Sequence, residues 1–292
     1  MRSIADLVFL VAAFLVTYGP QALDGVVSRI AGSGPRQVAR TGANMHRLLG
    51  SRAGSAGWET EAREYNQKRI ENQIARVREL HRRGWSVDLS IEGMEHVASA
   101  SANGNGVILW RMNFCSSHIL KRAFHEAGTP VIHLSTQSHG DRFRTWLGRR
   151  VFAPIYVKPE LKYLKERINI GQRGDLDYLR QLVKRLNRND VVSIFGALAG
   201  RADRTVPVLG RPQRFAAGAP ALARRTGAPL LPAYTRRVRR GEYEIVIRPP
   251  ISVDRPLPRG KYIDKAVQEF ASELEQAIRT YPESWNEWNT IR

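Results

Sequence analysis

From about residue 86 to the end, short apolar runs alternate with helical patterns, and this constrains the fold more than any other feature of the 292 residues. Val107–Trp110 (VILW) follows the turn signal Gly104-Asn105-Gly106. A helix opens at Ser116 or Ser117, runs to Ala127 and is closed by Gly128-Thr129-Pro130. Val131–Leu134 reads as a strand, and Arg142–Phe152 and Asp175–Asn187 read as helices. Next come a strand at Val191–Phe195 (VVSIF), a helix at Ala219–Thr226, strands at Leu230–Thr235 and Glu244–Arg248, and an amphipathic helix at Ile263–Thr280. Such alternation predicts an α/β fold: a single layered domain with a largely parallel central sheet flanked by helices.

Upstream the pattern changes. Leu7–Val16 is unbroken apolar (LVFLVAAFLV), with Asp6 before it and Gly19-Pro20 after it. It is shorter than the roughly 18–20 residues that cross a bilayer. The expectation is an N-terminal apolar helix within residues 1–30 that lies on a membrane surface, with a buried helix or a cleaved signal as alternatives. Residues 32–57, rich in Gly, Ser, Arg and Ala, read as a poorly packed connection. A polar helix follows from Trp58 to Arg83, packed by a narrow stripe of Ile70, Ile74, Val77 and Leu80. The expected organisation is 1–30, the membrane-associated helix; 31–84, linker and amphipathic helix; 85–292, the α/β domain.

Composition narrows the class. Hydrophobic residues at 42% with 25% charged exclude both wholesale disorder and a polytopic membrane protein. The one cysteine, Cys115, excludes an intrachain disulfide framework and any multi-cysteine metal site. The 46 Lys+Arg against 27 Asp+Glu leave a net charge of +19, which attracts anionic lipid, phosphate-bearing substrates, acidic carrier proteins or nucleic acid. No nucleic-acid motif is present, and the arginines do not interleave with aromatics as a stacking platform would, so no specific nucleic acid is expected.

In open α/β sheets chemistry collects beyond the carboxyl ends of the strands. Beyond Trp110 stand Arg111-Met112-Asn113-Phe114-Cys115-Ser116-Ser117-His118. His118 falls in the first turn of the next helix, whose N-terminal field disfavours imidazolium, so the ring is expected neutral and able to take a proton. Arg122 and His125 share its polar face, with Ile119, Leu120, Ala123, Phe124 and Ala127 on the buried face.

The run SIEGMEHVASASANGNGVILWRMNFCSSHIL resembles the first block of the bacterial lipid A biosynthesis acyltransferases, within the lysophospholipid acyltransferase superfamily. VVSIFGALAGRADRTVPVLGRPQRFAAGAPALARRTGAPLLPAY (residues 191–234) is similar to a later block, and Tyr281–Trp288 (YPESWNEW) to the family's terminus. The likeness spans roughly residues 85–292. It implies the family's fold, a membrane-facing acyl groove and an anionic substrate. It also implies transfer of a fatty acyl chain from a thioester on acyl carrier protein or coenzyme A to a hydroxyl or amine, with no bound cofactor and no metal, at the cytoplasmic face of a bacterial inner membrane. Where the family carries His-X4-Asp/Glu, this sequence carries Asn113-X4-His118.

Three arrangements of that site are open. His118 is the base, with the Asn113 carboxamide on its other nitrogen. Alternatively, Cys115, one helical turn away, accepts the acyl group as a thioester. Or the dyad is lost and the groove binds acyl chains without turnover. A carboxylate from elsewhere, Asp141 or Asp203, could also complete the first. Arg201, Arg204, Arg211 and Arg214 flank the loop after Val191–Phe195 and, with Arg122, are the candidate anion-binding residues. Arg236, Arg237, Arg239 and Arg240 crowd a turn at Gly241, where lipid headgroups or an acidic carrier could dock. Trp285 and Trp288 are expected in the core.

Overall fold

The structure, a computed structural model, describes residues 18–51, 57–80, 84–136, 153–171, 176–196, 202–252 and 256–290. Among these, seven strands form one sheet: β1 (Asp88–Glu92), β2 (Val107–Arg111), β3 (Ile132–Thr136), β4 (Glu166–Ile170), β5 (Val191–Phe195), β8 (Leu230–Arg239) and β9 (Glu242–Ile247). A separate ribbon pairs β6 (Asp203–Val208) with β7 (Arg211–Ala216). Across the large sheet the order is β1-β9-β8-β2-β5-β3-β4. The β8, β2, β5, β3 and β4 strands run parallel; β9 turns back antiparallel to β8, and β1 runs parallel to β9. The expected α/β layering with a largely parallel sheet is therefore what the chain forms.

The parallel strands fall where the apolar runs are continuous, because helices cover both of their faces. Along β2, Ile108 and Trp110 face one core and Val107 and Leu109 the other, all fully buried. The second core receives α5 (Ser117–Glu126) through Ile119, Leu120, Ala123 and Phe124. The first receives α7 (Asp177–Leu186), α8 (Gly218–Thr226) and α9 (Arg259–Thr280). Helices α4 (Met94–Ser101) and α6 (Ala153–Leu161) complete the layers. Gly196, just past β5, permits a close approach: a Cβ there would lie 2.7 Å from the Phe270 ring and 2.9 Å from Trp110 Nε1. Trp110 and Phe270 stack at 4.0 Å between ring centroids.

Residues 32–57, expected as a poorly packed connection, depart from that reading. Helix α1 (Asp24–Gly32) ends in this stretch and α2 (Pro35–Leu49) occupies most of it. Val38, Thr41 and Met45 form a buried stripe at helical spacing, masked in the sequence by the arginines and glycines between them. Helix α3 (Glu59–Arg78) is also more than a solvated helix held by one edge. It buries Lys68, Glu71, Asn72 and Arg78 beside Ile74 and Val77, whereas Leu80 is exposed. The buried charges find partners: Arg78 donates Nε and Nη2 to the Asp24 carboxylate at 2.5 and 2.6 Å. Arg237 Nε lies 2.8 Å from Glu71 Oε2. Trp285 and Trp288 are core residues, packed edge to face at 4.8 Å. The apolar run Leu7–Val16, the expected helix Arg142–Phe152 and Asp141 lie outside the described residues. Among the described residues no helix is long and apolar enough to cross a membrane.

Candidate active site

The turn from β2 into α5 is held by the end of the chain. Cys115 takes a left-handed backbone conformation (φ 42°), and its N–H donates to Ser284 O at 3.0 Å. Asn286 N–H donates to Asn113 O at 2.9 Å, while its side-chain amide donates to Cys115 O at 2.5 Å and to Asn113 Oδ1 at 3.2 Å. Asn113 Nδ2 donates to Glu287 Oε1 at 2.8 Å. Beneath the turn, the fully buried Lys68 ammonium donates to Ser284 O at 2.7 Å and to Asn286 Oδ1 at 3.2 Å. Burial pulls its pKa down to about 8.

Both ends of the Asn113 carboxamide are thus engaged by the C-terminal segment, and its hydrogen bonds do not run to His118. The Cys115 thiol is buried, and desolvation raises its pKa, the opposite of what a thiolate nucleophile needs.

His118 lies one turn on and is fully buried. Its Nδ1 is 2.8 Å from Ser116 Oγ, which also accepts from Arg76 Nε at 3.1 Å. Its Nε2 has no hydrogen-bond partner among the described residues. Burial, reinforced by the Arg76 cation, holds the imidazole well below the usual histidine range, so the ring is neutral near pH 7. With the proton on Nδ1, the ring donates to Ser116 Oγ and leaves the Nε2 lone pair open. Trp85 packs beside it, with ring centroids 6.2 Å apart.

A carboxylate that the sequence reading missed lies close by. Glu160 of α6 is 2.8 Å from Lys121 Nζ and accepts from Ser117 Oγ at 2.7 Å. Burial pushes this carboxyl up, but the Lys121 cation outweighs it and keeps Glu160 ionised. The only sequence trace is Glu160 following Pro159, which gives no hint that α6 folds over α5.

On the opposite face of the sheet lies a groove of about 690 Å³. Its walls are Trp110, Leu134 and Ile194 from the strands, Leu179 and Leu182 from α7, and Leu222 and Ile263 from α8 and α9. Arg204, Arg225 and Arg259 are the cations on its lining. Phe195, at the carboxyl end of β5, also lines the groove, and the Arg111 guanidinium lies 5.6 Å over its ring. The groove therefore reaches the carboxyl edge of β5, beside the end of β2, while His118 lies in α5 on the other face of the sheet.

The remaining candidates are dispersed. Arg204, Arg211 and Arg214 belong to the β6–β7 ribbon rather than a loop, and Arg201 lies outside the described residues. Arg204 pairs with Asp264, and Arg214 with Asp203, so Asp203 serves the ribbon and not the imidazole. Arg122 is away from the groove: it bonds Glu79, Glu126 and Trp85 O, bracing α5 against α3 and its C-terminal extension. Arg236, Arg237 and Arg239 pair with Glu244, Glu71 and Glu242, and Arg240 donates to Gln21 O and Ala22 O. That crowded turn is thus largely a set of internal contacts. Among the described residues no cluster of His, Cys, Asp and Glu could hold a metal ion.

Residues 155–288 match the family described as bacterial lipid A biosynthesis acyltransferase. No curated protein matches the sequence. Seven chains of solved structures match. One is the 1-acyl-sn-glycerophosphate (LPA) acyltransferase PlsC from Thermotoga maritima, at 14% identity, covering 91% of this chain and 99% of that one with a TM-score of 0.42. Over residues 155–288 the chain is similar to the bacterial lipid A biosynthesis acyltransferases, and by that similarity it is an enzyme of the acyltransferase type.

Proposed function

We propose that the protein transfers a fatty acyl chain from a thioester, on acyl carrier protein or coenzyme A, to an amine or hydroxyl acceptor at the cytoplasmic face of a bacterial inner membrane. The observation that carries this reading is the apolar groove with arginines on its lining. Its volume falls within the roughly 300–1,000 Å³ of small-molecule sites. Its walls are aliphatic and aromatic, and its cations suit an anionic head group. Its lining includes Ile170 and Phe195, the last residues of β4 and β5, at the carboxyl ends where ligands of open α/β sheets gather.

In this reading the chain lies in the groove and the thioester carbonyl at the edge near Phe195. The acceptor O–H or N–H gives its proton to His118 Nε2 as its heteroatom bonds to the carbonyl carbon. The C–S bond then breaks, and the imidazolium returns the proton to the leaving thiolate. The depressed pKa of His118 favours the neutral, accepting form. Asn113 and Cys115 act through the turn they form with Ser284 and Asn286, which sets the start of α5. Tyr18, Leu23, Val26, Val27 and Ile30, exposed on and just before α1, supply an apolar strip suited to a membrane surface.

A second reading, acyl-chain binding without turnover, is favoured by one observation: His118 is fully buried on the side of the sheet away from the groove. Full-length protein in detergent is incubated with acyl-carrier-protein and acyl-CoA thioesters and candidate acceptors, and thiol release and acylated product are measured. Transfer by the wild type that His118→Gln abolishes supports the enzymatic reading. Co-purifying acyl chains with no thiol release support the second, and the absence of both thiol release and bound acyl chains overturns both.

A further inference from the structure

The α5 side of the sheet carries a buried polar layer that acyl transfer through the groove does not use. Ser193 on β5 pairs in register with His133 on β3, and His133 with Arg167 on β4. Arg111 ends β2 two residues beyond Leu109, the register partner of Ser193, so Arg111 and Ser193 are diagonal neighbours on one face. The opposite face of these strands is apolar, with Val192, Ile132 and Ile168.

Charges in the layer do not balance. Lys121 and Glu160 neutralise each other at 2.8 Å, and the second Glu160 oxygen is taken by Ser117. Arg111 is 6% exposed. It forms no ion pair within the described residues; it lies over the Phe195 ring, and its Nε has no hydrogen-bond partner. Ser193 is fully buried, and its Oγ has no partner either. His133 meets the Ser193 carbonyl through Nδ1 at 3.2 Å, which fixes the backbone of β5 at this point. The carboxylate that Arg111 feels, Glu160, is already paired with Lys121. A buried guanidinium that shares its counter-charge and lacks a partner at Nε, and a buried hydroxyl without a partner, are both costly, and one anion resolves both.

We propose that Arg111 and Ser193 form a binding site for a compact tetrahedral oxyanion of the phosphate type. The guanidinium donates from Nε with its planar geometry, and the serine hydroxyl donates alongside. This stands whether or not the chain transfers acyl groups. The phosphate could be free or the head of a lipid.

The test follows the unfolding temperature of the full-length protein in detergent at fixed ionic strength. Inorganic phosphate is titrated in one arm and dodecyl phosphate in the other, with chloride and dodecanol as controls. A ligand at one hundred times its Kd should raise the wild-type midpoint by about 5 °C, saturably. Arg111→Met and Ser193→Val should lose that rise, yet be no less stable than the wild type without phosphate, since each removes an unpartnered buried group. A rise with both ligands identifies a phosphate site open to the free ion; a rise with dodecyl phosphate alone assigns it to a lipid head group. No saturable rise in either arm, or an equal rise in both variants, overturns the proposal. Should Arg111→Met fail to fold, the Ser193→Val comparison decides it.

Discussion

Gly218 offers the cleanest way to perturb the groove without perturbing the fold. It is the first residue of α8, it lines the groove, and a Cβ built on it meets no atom within 4 Å. Replacing it with leucine places a branched four-carbon side chain at a site the acyl chain is proposed to occupy. Each buried methylene contributes about 0.8 kcal/mol, so displacing four chain carbons costs about 3 kcal/mol, or about 200-fold in affinity. Stability should hold, because a side chain at Gly218 meets no atom within 4 Å at its Cβ and the backbone there is not left-handed. The assay is equilibrium binding of acyl thioethers of graded length, which cannot react, with the unfolding temperature measured in parallel. Gly218→Leu should bind long chains about 200-fold more weakly and short chains nearly as the wild type does. If every chain length binds both proteins equally well, at unchanged stability, the chain does not lie in this groove.

Three further outcomes follow from the geometry. Burial holds His118 and His133 well below the ordinary imidazole range, so in the folded protein both stay neutral while their unfolded counterparts protonate below about pH 6.5. Their contribution is therefore fully present above that pH and is lost as pH falls, at up to about 2.7 kcal/mol per unit; urea unfolding at pH 7, 6 and 5.5 should show this slope, roughly halved in His118→Gln. Asp24→Asn leaves the buried Arg78 without its counter-charge and should cost about 3–5 kcal/mol, whereas Asp24→Asn with Arg78→Met should recover much of it; equal losses in both proteins would contradict the pairing. Trp288→Ala, at a fully buried position, should cost about 3–5 kcal/mol and loosen Asn113 and Cys115, seen as faster hydrogen exchange across residues 112–118.

The elements legible in the sequence were those whose pattern is complete within a few residues. VILW, VVSIF and the run from Leu230 are apolar on both faces because helices cover both, and each is a central strand. β1 (DLSIE), β4 (ERINI) and β6 (DRTVPV) escaped because these edge or ribbon strands carry charged and polar residues that break up their short apolar runs. The site divided the same way. His118 in the first turn of α5 follows from Ser116 and the preceding strand, so its place could be read locally. Its neighbours could not: Arg76 comes from α3, Glu160 from α6, and Asn113 is taken by Asn286 and Glu287 near the end of the chain. The groove is assembled from strands, α7, α8, α9 and the ribbon, and no single segment of sequence carries its signature.

The most direct test of where the acyl chain lies is photolabelling with a fatty acyl thioester carrying a diazirine near its methyl end, followed by peptide mapping. Labels are expected on α7 and α9 at residues such as Leu179, Leu182 and Ile263, competed away by unlabelled long-chain thioester and lost in Gly218→Leu. Competable labelling confined to α1, or to the α5 side of the sheet, would contradict that placement.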